Sequence, residues 1–245
     1  MAAMPPAAPP MRLFGLEPLR AALEYAGMRR MRRSELPRGD GHPIVIFPGL
    51  ASDARATAPL RSFCEELGYA AYDWGRGLNT GPSGDVETWL QTLTDDVRAM
   101  LAGHLDGVTL LGWSLGGIYA REVAKRLGGR VRHVITIGTP FAGEARHTRA
   151  GLLYRLLNGR PARLDPAWMA RLRMPPPVPT TSIYSRSDGV VAWQACVQPG
   201  NARHTENIEV DSSHCGMIWN PAVLAVLADR LRQPLRGWKR FRAAS

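Results

Sequence analysis

The amino-acid sequence predicts a doubly wound α/β fold, a mainly parallel sheet covered by helices on both faces. The first observation behind this is a rhythm: short apolar runs rich in strand formers alternate four times with segments whose apolar residues recur at helical spacing. The second is the shortness of the intervening loops, which favours right-handed crossovers between parallel strands. The third is size, since 245 residues fit a single α/β domain.

Composition excludes several classes. The hydrophobic and charged fractions, 45% and 21%, are ordinary for a soluble globular chain, and no apolar stretch approaches the roughly 18 residues of a membrane span. The net charge of +10 is spread as scattered arginines over a background rich in Ala, Gly and Pro, with no aromatic-interleaved basic patch, so no nucleic acid is expected as a partner. Cys64, Cys196 and Cys215 are too few for a disulfide scaffold, although Cys196 follows one candidate loop and Cys215 lies in another, and the two could be bridged in an oxidising compartment. His and Cys show no paired ligand spacing, so no metal is expected. The start, MAAMPPAAPPMRLF, lacks the charge and the apolar core of an export signal, and a cytoplasmic place is expected.

Residues 1–10 are rich in Ala and Pro and are expected to be disordered. An amphipathic helical segment follows over 11–40, with Leu16, Leu19, Leu23 and Ala26 on one face and the basic run Arg29, Arg30, Arg32, Arg33 at its end. Such a helix either covers part of its own domain with its charges solvated or makes peripheral contact with an anionic membrane. The main domain is expected over 41–233 and a basic tail over 234–245. Pro43 to Phe47 is a buried strand that empties into Pro48, Gly49, Leu50, Ala51, Ser52 and Asp53; Leu60, Phe63, Cys64 and Leu67 then mark a helix. Tyr69 to Trp74 is the second strand, followed by the Gly-rich loop WGRGLNTGPSG and a long helix capped by Asp85.

Val108 to Ala120, VTLLGWSLGGIYA, is the centre of the chain. An apolar strand turns sharply into a helix, and Ser114 sits at the apex with Gly112 and Gly116 two residues either side, where the chain comes too close to itself to carry side chains. This is a Gly-x-Ser-x-Gly nucleophile elbow, whose helix N-terminus directs positive charge at an oxyanion beside Ser114. Val131 to Ile137 is the next strand. The rhythm then breaks over 142–178, an apolar insertion with Leu152, Leu153, Leu156, Leu157, Trp168, Met169, Leu172 and Met174, placed to act as a helical lid. Thr180 to Ser185 resumes the sheet, Ile208 to Asp211 is read as the last strand, and Asn220-Pro221 opens the final helix.

A serine hydroxyl needs a base oriented by a carboxylate, and in this architecture acid and base follow the serine in that order, each after a later strand. Asp188, in SRSDG, and His214, in SSHCG, meet that rule. His42, His104, His133, His147 and His204 do not follow a late strand, and Asp211 lies too near His214 along one loop to orient its ring easily. The backbone amides of Leu115, after the nucleophile, and Leu50, in the first strand's exit loop, are the candidate oxyanion donors, with Ala51 as a one-residue alternative to Leu50. Trp74, Leu78 and Trp113 are candidate pocket residues.

GWSLGG with Ser114, SRSDG with Asp188 and SSHCGM with His214 resemble the α/β-hydrolase superfamily, and PGLASD, the WGRGLNTGP loop and the IGTPF strand end look like its bacterial lipase/esterase-like members. The resemblance runs from about Gly41 to Leu231. It implies a three-layer fold, a mainly parallel sheet of about six strands between helices on both faces, with the N-terminal helix in place of the extra antiparallel strands of larger members. It also implies a Ser-His-Asp hydrolase of small-molecule or lipid esters that needs no cofactor and carries a lid. Pro48-Gly49 stands where lipase members often have His-Gly. Thioester or amide cleavage, acyl transfer, and a non-catalytic binding role are the alternatives on the same scaffold.

Overall fold

The computed structural model describes residues 8–142, 166–200, 202–234 and 236–242. Six strands, β1 (Pro43–Phe47), β2 (Ala70–Asp73), β3 (Val108–Trp113), β4 (Val131–Ile137), β5 (Thr180–Tyr184) and β6 (Thr205–Glu209), form one sheet in the order β2-β1-β3-β4-β5-β6. Every neighbouring pair is parallel. The helices are α1 (Met11–Arg30), α2 (Ala54–Glu66), α3 (Val86–Met100), α4 (Leu115–Leu127), α5 (Pro166–Arg173) and α6 (Pro221–Leu231).

Alternation along the strands builds two cores. Ile44, Ile46, Leu111, Ile135 and Ile137 pack with Leu60 and Phe63 of α2 and Val223, Leu224 and Leu227 of α6. Val45, Phe47, Leu110 and Val134 face the other way, against Leu90, Leu93 and Val97 of α3 and Tyr119, Val123 and Leu127 of α4. Both faces of β1 and β3 are buried, which is why these two strands read as nearly continuous apolar runs. Helix starts follow the sequence: Asp85 accepts the Thr88 N–H at 2.9 Å, and Asn220 accepts the Ala222 N–H at 2.9 Å ahead of Pro221.

Three expectations are corrected. The helical segment at 11–40 is helical only to Arg30, followed by a 3₁₀ turn at Arg33–Glu35. Its apolar stripe does not dock, because Leu16, Leu19 and Leu23 are exposed while Glu17, Ala21 and Met28 are buried. The last strand is Thr205–Glu209 and not Ile208–Asp211; two of its three buried residues, Thr205 and Glu206, are polar and lie on opposite faces of the sheet. Glu206 is satisfied there by Arg230 at 3.0 Å and Thr181 at 2.6 Å, so no apolar run advertised the strand.

Within the expected insertion, α5 is tied to the body by Arg171, which pairs with Glu87 of α3 and with the buried Glu122 of α4 at 3.0 Å. Leu152, Leu153, Leu156, Leu157 and His147 lie outside the described residues. Cys64, Cys196 and Cys215 are free thiols. No described helix is long and apolar enough to cross a membrane.

Candidate active site

The chain runs from β1 outward to β2 and then returns to place β3 on the other flank of β1, so a crevice opens where the order reverses, beyond the strands' C-terminal ends. Phe47 pairs in register with Gly112, which sets the exit loop of β1 beside the elbow that follows β3. A methyl group on Gly49 would come within 3.3 Å of the Ser114 Cβ, and one on Gly116 would collide with the Phe47 carbonyl. A methyl on Gly112 would meet the backbone of Gly116 and Gly117. The glycines therefore let three stretches of backbone converge on Ser114.

Ser114 is held at φ +52° and ψ −123°, a conformation an L-residue rarely adopts and one that lifts its side chain off the helix it precedes. Its Oγ lies 3.0 Å from His214 Nε2, and His214 Nδ1 lies 2.7 Å from Asp188 Oδ2. All three side chains are buried. The other carboxylate oxygen of Asp188 accepts the backbone N–H groups of Val190 and Val191 at 2.8 and 2.7 Å, which fixes the carboxylate toward the imidazole. Burial opposes a charge on His214, but the Asp188 charge, the hydrogen bond to it and the further charge of Glu17 together raise its pKa above the ordinary 6.5.

Competing residues have other partners. Asp211 is exposed and bound to Ser187 and Arg20. His42 sits between Asp40 and Thr109, His133 meets Thr181 at 2.9 Å, and His104 meets the Tyr72 hydroxyl at 2.9 Å.

Leu115 opens α4, so its N–H has no partner inside the helix. The Ala51 N–H is taken up by the Asn79 carbonyl at 2.8 Å, so of the two candidate amides in that loop Ala51 is already engaged. Trp113 stands beside the site, its ring 6.0 Å from that of His214 and its indole N–H on the His214 carbonyl at 3.1 Å. Trp74 is buried and stacked on Tyr119, and Leu78 is exposed. Among the described residues, no group of three or more His, Cys, Asp or Glu is arranged to hold a metal.

Residues 44–244 match the family model described as the alpha/beta hydrolase family. The chain belongs to that family. Other alpha/beta hydrolases and relatives give finer likenesses. A pimeloyl-[acyl-carrier protein] methyl ester esterase of Shewanella sp. strain MR-7 is 30% identical over 46% of this chain and 40% of its own, and one from Legionella pneumophila strain Corby is 28% identical over 40% and 38%. The chain thus spans about 40% of the length of the curated relatives it matches. Among solved structures, Aspergillus fumigatus lipase B superimposes with a TM-score of 0.60 at 19% identity, covering 81% of this chain and 54% of that one. The mature Bacillus licheniformis lipase BlEst2 follows at 0.59 and 20%, covering 81% and 95%. These two likenesses speak for the fold.

Sequence reasoning missed two parts of the site. Asn79 is fully buried in the Gly-rich loop, where its amide donates to the Pro48 carbonyl at 2.8 Å and its N–H to the Ser52 carbonyl at 2.9 Å, so it pins the loop that carries Leu50. Glu17 and Glu24 of α1 hold the loops that carry Asp188 and His214. A polar residue in a loop, or an acid on a helix, carries no local signal that its partners are remote backbone amides.

Proposed function

We propose that the chain is a serine hydrolase that cleaves carboxylic esters through an acyl-enzyme, with Ser114 as nucleophile, His214 as acid and base, and Asp188 as its orienting carboxylate. The observation that carries this reading is the unbroken hydrogen-bonded series from Ser114 through His214 to Asp188, at 3.0 and 2.7 Å, at the apex of a strained elbow. Ser114 Oγ attacks the acyl carbon as its proton passes to His214 Nε2, and the oxyanion rests on the Leu50 and Leu115 N–H groups. The imidazolium then gives its proton to the departing alcohol. Water enters, loses a proton to His214 and releases the acid and free Ser114.

The names of the curated relatives add support for an ester substrate. Residues 142–178 are proposed as the cover of the acyl site, with α5 as its anchored end. A p-nitrophenyl ester series from acetate to palmitate, on wild type and Ser114→Ala, tests the reading. Cleavage that falls at least ~10³-fold in the variant is expected. Equal rates, or no cleavage by the wild type, overturn it, and faster acid release from a thioester would move the reaction to thioester hydrolysis.

A second reading, peripheral membrane contact, is favoured by the outward stripe of Leu16, Leu19 and Leu23 on α1, with Arg29 and Arg30 in its last turn.

A further inference from the structure

We propose that Glu17 is a positioning residue of the reaction, a carboxylate on the first helix that joins the loop of Asp188 to the loop of His214 and adds negative charge beside the imidazole. This rests on the hydrolase reading above.

Glu17 is only 3% exposed. One of its oxygens accepts the N–H of Gly189 at 2.8 Å and that of His214 itself at 2.9 Å; the other accepts the N–H of Cys215 at 2.9 Å. Gly189 directly follows Asp188, so one carboxylate grips both members of the acid and base pair through their own backbone. The three donors are neutral, and among the described residues no Lys or Arg forms an ion pair with Glu17, so its charge is left uncompensated next to the site. Burying an uncompensated charge is costly, and a neutral acceptor would cost less if holding the loops were the whole task.

The loops are shaped to this helix. A methyl group on Gly189 would lie 2.6 Å from the Leu13 carbonyl, and one on Gly216 would collide with Glu24. Glu24, two turns on, accepts the Ser213 N–H at 2.8 Å and its hydroxyl at 2.5 Å, and Arg20 between them donates to Ser187 Oγ at 2.8 Å. The charged groups around His214 are thus Asp188 from the loop after β5 and Glu17, Glu24 and Arg20 from α1, with Arg20 turned away toward Ser187 and Asp211. The neighbouring Cys215 thiol is pushed up to about 12, first by burial and then by Glu17, so it stays neutral in the working range. The Glu17 charge adds to the Asp188 charge in raising the His214 pKa against burial, which favours the imidazolium that forms as Ser114 attacks.

The test combines the imidazole titration of His214 by NMR, which needs no substrate, with the pH profile of ester cleavage in Glu17→Gln. Lowered titration of His214, an acid limb moved to lower pH and kcat reduced roughly tenfold with little change in KM are expected. A folded Glu17→Gln protein with the wild-type titration overturns the proposal, leaving a purely structural clamp. Should Glu17→Gln not fold, Glu17→Asp keeps the charge but draws it back by one methylene. A near wild-type titration with reduced kcat is then expected, and unchanged kcat overturns the positioning role. Absence of Ser114-dependent cleavage in the wild type would instead strike the hydrolase reading, while the His214 titration would still report on Glu17.

Discussion

In the proposed mechanism His214 can act as a base only when neutral, yet the charges of Asp188 and Glu17 favour its protonated form. The two requirements meet in the pH profile. Because the pKa is raised, kcat/KM of the wild type should climb with pH through a limb above 6.5 and level off beyond it. Asp188→Asn removes the largest raising cause and also the acceptor that fixes the ring. The limb should therefore move to lower pH, and the plateau should fall by roughly 10³- to 10⁴-fold. A variant that keeps the wild-type limb would show that Asp188 does not face the working imidazole. Asp188 and His214 are proposed from their order after the elbow, since each lies on the loop that follows a late strand. Glu17 could not be read, because a carboxylate whose partners are backbone amides nearly two hundred residues away leaves no spacing to count.

At the scale of elements, the elbow was legible because its glycines answer to contacts inside one short stretch. Gly116→Ala should be poorly folded or lose several kcal/mol in chemical denaturation, since its methyl would drive into the backbone of β1. Gly103→Ala, with open space around it, should stay within about 0.5 kcal/mol of wild type. Equal stability of the two would show that β1 does not press on the elbow. The parallel direction of the strands followed from the alternation of strands and helices with short loops, whereas β6 was displaced because two of its three buried residues, Thr205 and Glu206, are polar. The face of α1 was misread for the opposite reason. Its leucines look like a core stripe, but the helix spends its inward face on glutamates and leaves Leu19 and Leu23 60% and 64% exposed. Sedimentation with phosphatidylglycerol vesicles, reversed by salt and weakened in Leu19→Glu with Leu23→Glu, is expected if that stripe meets a membrane. Failure to sediment removes membrane contact. Deleting α1 would be a poor substitute, because the deletion also takes Glu17 and Glu24.

For the whole molecule, the histidines set the response to acid. His133 is buried in β4, and burial followed by the nearby Arg230 lowers its pKa to about 3. The unfolded chain takes up this proton near 6.5 and the folded chain does not, so the stability present above 6.5 is lost as pH falls toward 3. His214 acts in the opposite direction, which makes a comparison between proteins cleaner than a single curve. Between pH 7 and pH 5 the wild type should lose on the order of 2 kcal/mol relative to His133→Gln in urea denaturation. Parallel curves for the two proteins would mean that His133 is protonated in the fold.

The grip of α1 on the two loops also bears on how the protein is made. Glu17 leaves the ribosome well ahead of the amides it holds, which lie 172, 197 and 198 positions downstream. The strands between can pair while synthesis continues, but the carboxylate must wait for the loops after β5 and β6. On the proposed mechanism, a nascent chain carries Ser114 well before His214 is seated, and competence waits for the contacts that α1 makes with the two later loops.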